Sequence, residues 1–271
     1  MDAVKKVLIT GTNGNIGGML MNKFRESGKY EVIATARNAD PERNILAMNL
    51  LDRERILELT KGVDVIVHMA AYMVPGRLFE EQVIPNNIVG TYYIYDAMRA
   101  NNVGRMVYGS SNHTIGYYRS DDQITGDSPT KPDTYYGVSK VACEALGSVY
   151  SSKYDISCIN IRIGHFPRHG KPISPYRTKT WISPRDMAHL VGCCIDAPPE
   201  IKFLNVFGIS KNTDRPWPID HLKDLIGYDP QDDGADYMEE AKNFEWYQDG
   251  KGGYKDETGY MGGDFVNIDL E

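Results

Sequence analysis

The chain has 271 residues, 41% of them hydrophobic and 25% charged, enough for one large α/β domain or a domain with a small appended lobe. Its 37 acidic residues outnumber 30 basic ones, and a net charge of -7 argues against a protein that binds the nucleic-acid phosphate backbone. No apolar run approaches a membrane span and no apolar leader precedes the first strand, so a cytoplasmic protein without membrane or nucleic-acid partners is expected.

Short β-rich runs alternate with longer helical stretches. Residues 4–10 predict a strand, 15–27 a helix, 31–36 a strand, 52–60 a helix and 63–69 a strand. A helix over 79–101 and a strand over 104–109 follow, then a helix over 134–154, a strand over 156–162, a helix over 184–197, a strand over 202–207 and a helix over 218–227. The strands read as almost continuous apolar residues, as in Val63-Asp64-Val65-Ile66-Val67-His68-Met69, which predicts a parallel sheet covered on both faces. The pattern is that of a doubly wound α/β fold. Residues 1–163 are expected to form the dinucleotide-binding core. Residues 164–271 are expected to complete the sheet over about 184–208 and to build a small substrate lobe.

Two polar, turn-rich stretches, 111–133 and 164–183, follow strand ends, where ligands bind in such sheets. Residues 164–183 carry Pro167, Pro172 and Pro175 and cannot form a long helix. The acidic run from Asp229 to Glu240 reads as a solvated surface. Cys143, Cys158, Cys193 and Cys194 lie in apolar stretches without CxxC spacing and read as free thiols. His165 and His169 are four apart, but Pro167 stands between them and no carboxylate flanks them at ligand spacing, so no metal site is expected.

The first strand runs into Thr10-Gly11-Thr12-Asn13-Gly14-Asn15-Ile16-Gly17. Glycines at 11, 14 and 17 permit a tight turn and a close backbone approach to a pyrophosphate at the helix start. Asn13 and Asn15 suit unusual turn dihedrals and caps. A carboxylate at the end of the second strand accepts bonds from an adenosine ribose, whereas an arginine favours a 2′-phosphate. Here that strand ends Ala36-Arg37-Asn38, so Arg37 favours NADP over NAD. Asn49 and Leu50 are placed beside the adenine, and Met69, Ala70 and Ala71 against the nicotinamide ribose. His68 reads as structural.

Tyr136 and Lys140 stand at i and i+4 on a predicted helix and share a face, whereas Tyr135 has Ser139 at that spacing. A neighbouring ammonium and the positive nicotinamide both favour the phenolate, which makes Tyr136 a base for a substrate hydroxyl. Ser111 ends the fourth predicted strand, where its hydroxyl can hold the substrate oxygen.

Thr10-Gly11-x-x-Gly14-x-x-Gly17, Asn87-Ile88-Val89-Gly90-Thr91 and Tyr136-x-x-x-Lys140 resemble the extended short-chain dehydrogenase/reductase superfamily, the likeness running the whole length of the chain. Ser110 to Tyr118, and Arg162-Ile163-Gly164 followed by Tyr176-Arg177 and Thr180-Trp181, resemble bacterial uronate dehydrogenases within it. The resemblance implies a Rossmann core and oxidation of a uronic acid at C1 to an aldarolactone. By it, Ser111 and Tyr136 contact the reacting hydroxyl, Asn112 and His113 hold the sugar, and Arg177 clamps the carboxylate. It further implies that Lys140 holds the nicotinamide ribose, that Asn87 positions Lys140 through water, and that long helices such as 79–101 and 134–154 pair two copies.

The chain departs from the uronate pattern at three positions. Met73 and His165 stand where those enzymes carry small polar substrate-binding residues, and Arg37 replaces their ribose-binding aspartate. An alternative is a nucleotide-sugar epimerase with tightly bound NAD. Dehydration is disfavoured because Asn112 and His113, not an acid, follow Ser111. A dinucleotide-sensing regulator is disfavoured because Tyr136 and Lys140 are both present.

Overall fold

The computed structural model describes residues 4–73, 78–243 and 258–270. Seven parallel strands form one sheet: β1 (Lys6–Thr10), β2 (Glu31–Ala36), β3 (Ile45–Ala47), β4 (Val65–His68), β5 (Arg105–Ser111), β6 (Ser157–Ile163) and β7 (Phe203–Gly208). Their spatial order is β3-β2-β1-β4-β5-β6-β7. The order reverses between β1 and β4, so a crevice opens at the carboxyl ends of these two strands.

Alternating side chains bind the sheet to two helical layers. Val7, Ile9, Val107 and Ile161 pack with Leu20 and Phe24 of α1 (Asn15–Ser27) and Leu190 and Val191 of α6 (Pro184–Asp196). Leu8, Ile66, Met106 and Cys158 point the other way. They meet Ile56 of α2 (Arg53–Leu59), Ile94 and Met98 of α3 (Gly90–Asn101), and Cys143 and Tyr150 of α4 (Tyr135–Tyr154). A period-two pattern with both faces apolar is what a covered parallel strand requires.

Hydroxyl caps start the helices that carry the site. Thr134 accepts from the Gly137 N–H at the start of α4. Ser174 and Ser183 do the same for α5 (Pro175–Thr180) and α6, each followed by a proline at the first turn. Helix α1 differs, since Gly14 stands at its N-cap with no side-chain cap.

Three elements differ from the sequence reading. Strand β3 escapes it because three residues are too few to show a period. The predicted helix 79–101 divides: Phe79–Val89 winds as a wide π-helix containing Pro85, and a regular α-helix begins at Gly90. Proline supplies no N–H and crowds the preceding turn, and the wider winding accommodates it. The helix expected at 218–227 shrinks to α7 (Leu222–Ile226). A further short helix, α8 (Met238–Lys242), lies in the acidic run, and residues 244–257 of the expected lobe lie outside the described residues. The four cysteines are free thiols, three of them buried. No helix among the described residues is long and apolar enough to cross a membrane, and no group of three or more His, Cys, Asp or Glu among them could hold a metal ion.

Candidate active site

Three cavities of about 320, 400 and 90 Å³ join end to end along the carboxyl edge of the sheet. Arg37, Asn49 and Leu50 line the first, with Gly11, Asn13, Gly14, Met69, Ala70 and Ala71. The second is walled by Asn15, Ile16 and Gly17 on one side and by Ser111, Tyr136 and Lys140 on the other, with Met73, Asn112, His113 and His165 completing it. Asn112, His113 and His165 also border the third, which contains Arg177. One track therefore runs from Arg37 to Arg177.

The glycine turn leaves no room for side chains. A Cβ on Gly17 would stand 2.4 Å from the Gly11 carbonyl oxygen. Gly11 has φ of +73°, and a Cβ there would meet the Ala70 nitrogen at 2.8 Å. The close approach of β1 to the residues after β4 is fixed by Thr10, whose Oγ1 accepts from the N–H groups of Met69 and Ala70 at 3.1 and 3.0 Å. That oxygen therefore gives its own proton to His68 Nδ1 at 2.7 Å. His68 Nε2–H then donates to Thr91 Oγ1 at 3.0 Å, and Thr91 donates to the Asn87 carbonyl. Burial and the nearby Lys140 charge push His68 down to about 3, so it is a neutral structural link, as its apolar strand suggests.

Asn87 is held from several sides. It lines none of the three cavities. Its amide donates to the Tyr72 carbonyl and Ser139 Oγ and accepts from the Tyr72 N–H at 2.7 Å. Asn87 pins the segment after β4 and has no direct bond to Lys140.

Lys140 is buried and donates to the Gly109 carbonyl at 2.6 Å, with its ammonium 5.4 Å from the Tyr136 ring centre. Burial lowers its pKa to about 8, against the opposing fields of Cys143 and Glu144. Tyr136 is buried beside Lys140. Burial pushes its phenol well above the ordinary value, and the hydrogen bond with Ser111 offsets this only in part. The phenolate needs more than the neighbouring lysine, because taking a phenolate out of water costs more than one ammonium at this distance returns.

Beneath this group, Glu144 accepts from Ser110 Oγ at 2.6 Å and from Arg162 Nε and Nη2 at 3.1 and 2.9 Å. The buried pair ties α4, β5 and β6 together directly under Ser111 and Lys140.

At the far end, burial and the charges of Arg177 and His169 hold His165 well below the ordinary histidine range. Its Nε2 is buried and has no hydrogen-bond partner among the described residues. Met73 is 71% exposed at the rim. Asn112 donates to the Met261 carbonyl.

Several lining residues lie beyond the sequence reading. Met261, Gly262 and Phe265 come from the C-terminal stretch, which pairs with loop 116–120 through Met261 N–H to Tyr118 O and Gly262 N–H to Gly116 O. Asp133 holds His113, with Nδ1 and Oδ2 2.8 Å apart. Arg43 reaches Asn13 Oδ1 at 3.3 Å behind the glycine turn. The residue before a helix cap was a readable signal for Asp133, but nothing local marks the other positions.

A glycine turn at a switch point, facing a buried serine, tyrosine and lysine, is suited to moving a hydride between a carbinol and a nicotinamide, and the protein is an oxidoreductase of the short-chain dehydrogenase/reductase class. Residues 7–179 match the NAD dependent epimerase/dehydratase family, and the chain belongs to it. It is 30% identical to the NAD-dependent glucose-6-phosphate dehydrogenase of Haloferax volcanii, over 87% of this chain and 97% of that one. It is 32% identical to the uronate dehydrogenase of Pseudomonas putida, over 84% of each. The crystal structure of a uronate dehydrogenase mutant from Agrobacterium tumefaciens, complexed with NAD, superposes with a TM-score of 0.87 at 29% identity, covering 99% of both chains.

Proposed function

We propose that the protein oxidises the C1 hydroxyl of a uronic acid or a related sugar acid to an aldarolactone. The observation that carries this reading is Arg177, whose pocket opens off the catalytic cleft beyond His113 and His165. A guanidinium there suits a planar carboxylate at the opposite end of the sugar from the reacting carbon. The likeness to uronate dehydrogenases over most of both chains supports it.

In this reading Ser111 Oγ holds the C1 oxygen and Tyr136 Oη takes its proton. Lys140 supplies the positive charge that stabilises the phenolate and binds the nicotinamide ribose. When bound, the dinucleotide accepts the hydride and brings a second positive charge to the site. Gly11, Gly14 and Gly17 would receive its pyrophosphate, Asn49 and Leu50 its adenine, and Met69 to Ala71 its nicotinamide ribose. Asn112, His113 and His165 would orient the sugar, with Met73 at its edge.

NADP is the preferred dinucleotide in this proposal. Arg37 is the charged residue of the adenosine cleft, whose lining includes no carboxylate, and Arg43 stands behind Asn13. A dimer through α3 and α4 belongs to the same reading, supported by the exposed Tyr92, Val149 and Tyr154, and is tested by light scattering.

The experiment is initial-rate dinucleotide reduction with D-glucuronate, D-galacturonate and D-glucose 6-phosphate, each with NAD and NADP. Turnover of either uronate with preference for NADP is expected. Turnover of the phosphate alone would overturn the carboxylate assignment. Dinucleotide retained through purification without net reduction would favour the epimerase instead. Tyr136→Phe should lower kcat roughly 10²–10⁴-fold while sparing dinucleotide binding.

A further inference from the structure

His113 and Asp133 form a pair that the proton-transfer chemistry of Ser111, Tyr136 and Lys140 leaves unused. His113 Nδ1 lies 2.8 Å from Asp133 Oδ2, and the Asp133 side chain is fully buried. Its other oxygen, Oδ1, accepts from Thr134 Oγ1 at 3.1 Å. No lysine or arginine among the described residues forms an ion pair with this carboxylate.

The fold makes space for that carboxylate from two directions. A Cβ on Gly116 would stand 1.9 Å from Asp133 Oδ2, and a Cβ on Gly262 2.0 Å from the same oxygen. These glycines lie on the loop after β5 and on the C-terminal stretch, joined by the Gly262 N–H to Gly116 O bond at 2.9 Å. Neither has a left-handed backbone, so neither needs to be glycine for its dihedrals. Both leave room for Asp133.

A carboxylate only accepts hydrogen bonds, so the proton on this axis belongs to His113 Nδ1. The imidazole plane is held from the side by the Phe265 ring, edge-on at 4.2 Å. The remaining nitrogen, Nε2, makes no hydrogen bond among the described residues, and His113 borders both the catalytic cavity and the Arg177 pocket. In the neutral ring, fixed with its proton on Nδ1, Nε2 is an acceptor. It demands a donor from the ligand.

We infer that Asp133 is a positioning residue for substrate recognition: it fixes the His113 tautomer so that Nε2 accepts a hydrogen bond from a ring hydroxyl of the sugar, between the reacting carbon and its acid group. This rests on the sugar-acid reading for the identity of the ligand, but not for the tautomer. Asp133 itself touches no substrate. Its partner reads a hydroxyl, so a sugar lacking that hydroxyl loses what Asp133 provides.

The test joins a spectroscopic measurement to a kinetic one. Long-range ¹⁵N–¹H correlation on histidine-labelled protein reads which ring nitrogen of His113 carries the proton. The wild type is expected to show a proton on Nδ1 and none on Nε2, and a ring protonated at Nε2, alone or together with Nδ1, would overturn the inference without any variant. Asp133→Asn places an amide where only acceptors stood, which admits the other tautomer. In that variant kcat/KM should fall about tenfold, mostly through KM, for the full sugar acid. Against a panel of monodeoxy analogues, one analogue should be poor in both proteins and unaffected by the substitution. An equal loss with every analogue would show a merely structural role and overturn the assignment. If Asp133→Asn does not fold, the same panel is run on His113→Gln, which keeps a polar group near the Nε2 position without the Asp133 bond. There the deoxy analogues should still single out one hydroxyl, and a uniform loss would overturn it. Nδ1–H on His113 in a protein that oxidises no sugar acid would sustain Asp133 while overturning the substrate reading.

Discussion

Lys140 donates to the main-chain carbonyl of Gly109 at 2.6 Å, two residues before Ser111 on the same strand. The proposed catalytic lysine is thus anchored to the strand that presents the proposed catalytic serine, and its position is set by backbone geometry.

That anchorage in a buried site sets a pH dependence. Burial lowers Lys140 to about 8, so it is an ammonium below that pH and loses its charge above it. Sugar oxidation should fall on the alkaline side of about pH 8 as support for the Tyr136 phenolate disappears. Lys140→Arg, whose charge persists, should move this limb upward while lowering the maximal rate, read from kcat against pH. The lysine also affects stability: between pH 8 and its unfolded value of 10.5 the unfolded chain binds the extra proton, so its contribution favours folding increasingly as pH rises.

His68 titrates in a different window. Its folded pKa is about 3 against an ordinary 6.5, so between these values the unfolded state takes up a proton that the folded state refuses. Stability should decline as pH falls from 6.5 towards 3, with a contribution of about 1.4 kcal/mol per pH unit from this group. Urea unfolding across that range should show a shallower slope in His68→Gln.

Much of this architecture was legible in the chain, for identifiable reasons. The strands around Val7-Leu8-Ile9 and Val65-Ile66-Val67 were visible because both their faces are apolar. Tyr136 and Lys140 were visible because helical spacing alone puts them on one face. The glycine turn was visible because three close backbone approaches fall within seven residues. What the sequence concealed depends on distant segments. Phe265 reaches His113 from more than 150 residues away, and no local pattern announces it. The burial that raises the Tyr136 phenol was hidden too, because spacing reveals a neighbouring charge but not how deeply the phenol is buried. The bonds of the Asn87 amide to the Tyr72 backbone were equally hidden, because that partner is fixed by the segment's path after β4.

Gly17→Ala should damage the cofactor site severely. The added methyl would press on the Gly11 carbonyl at 2.4 Å, so the turn must open, with a loss of about 1–3 kcal/mol in stability and of dinucleotide affinity. Gly104→Ala is the control, because its Cβ meets nothing within 4 Å. Thermal melts and a dinucleotide fluorescence titration on the two variants should separate them.

Glu144 and Arg162 are 6% and 2% exposed, so breaking their pair leaves a charge in the core. Glu144→Gln is expected to cost about 3–5 kcal/mol by urea unfolding, whereas Glu144→Leu combined with Arg162→Met should recover much of that loss. Additive losses in the double variant would mean that the pair is not energetically coupled.

The wall formed by Met261, Gly262 and Phe265 also divides the proposed site between distant parts of the chain. The glycine turn belongs to the first strand and helix, whereas this wall of the Arg177 pocket comes from residues 261–265. Substitutions at Met261 or Phe265 can therefore reshape the proposed sugar pocket without altering the glycine turn itself.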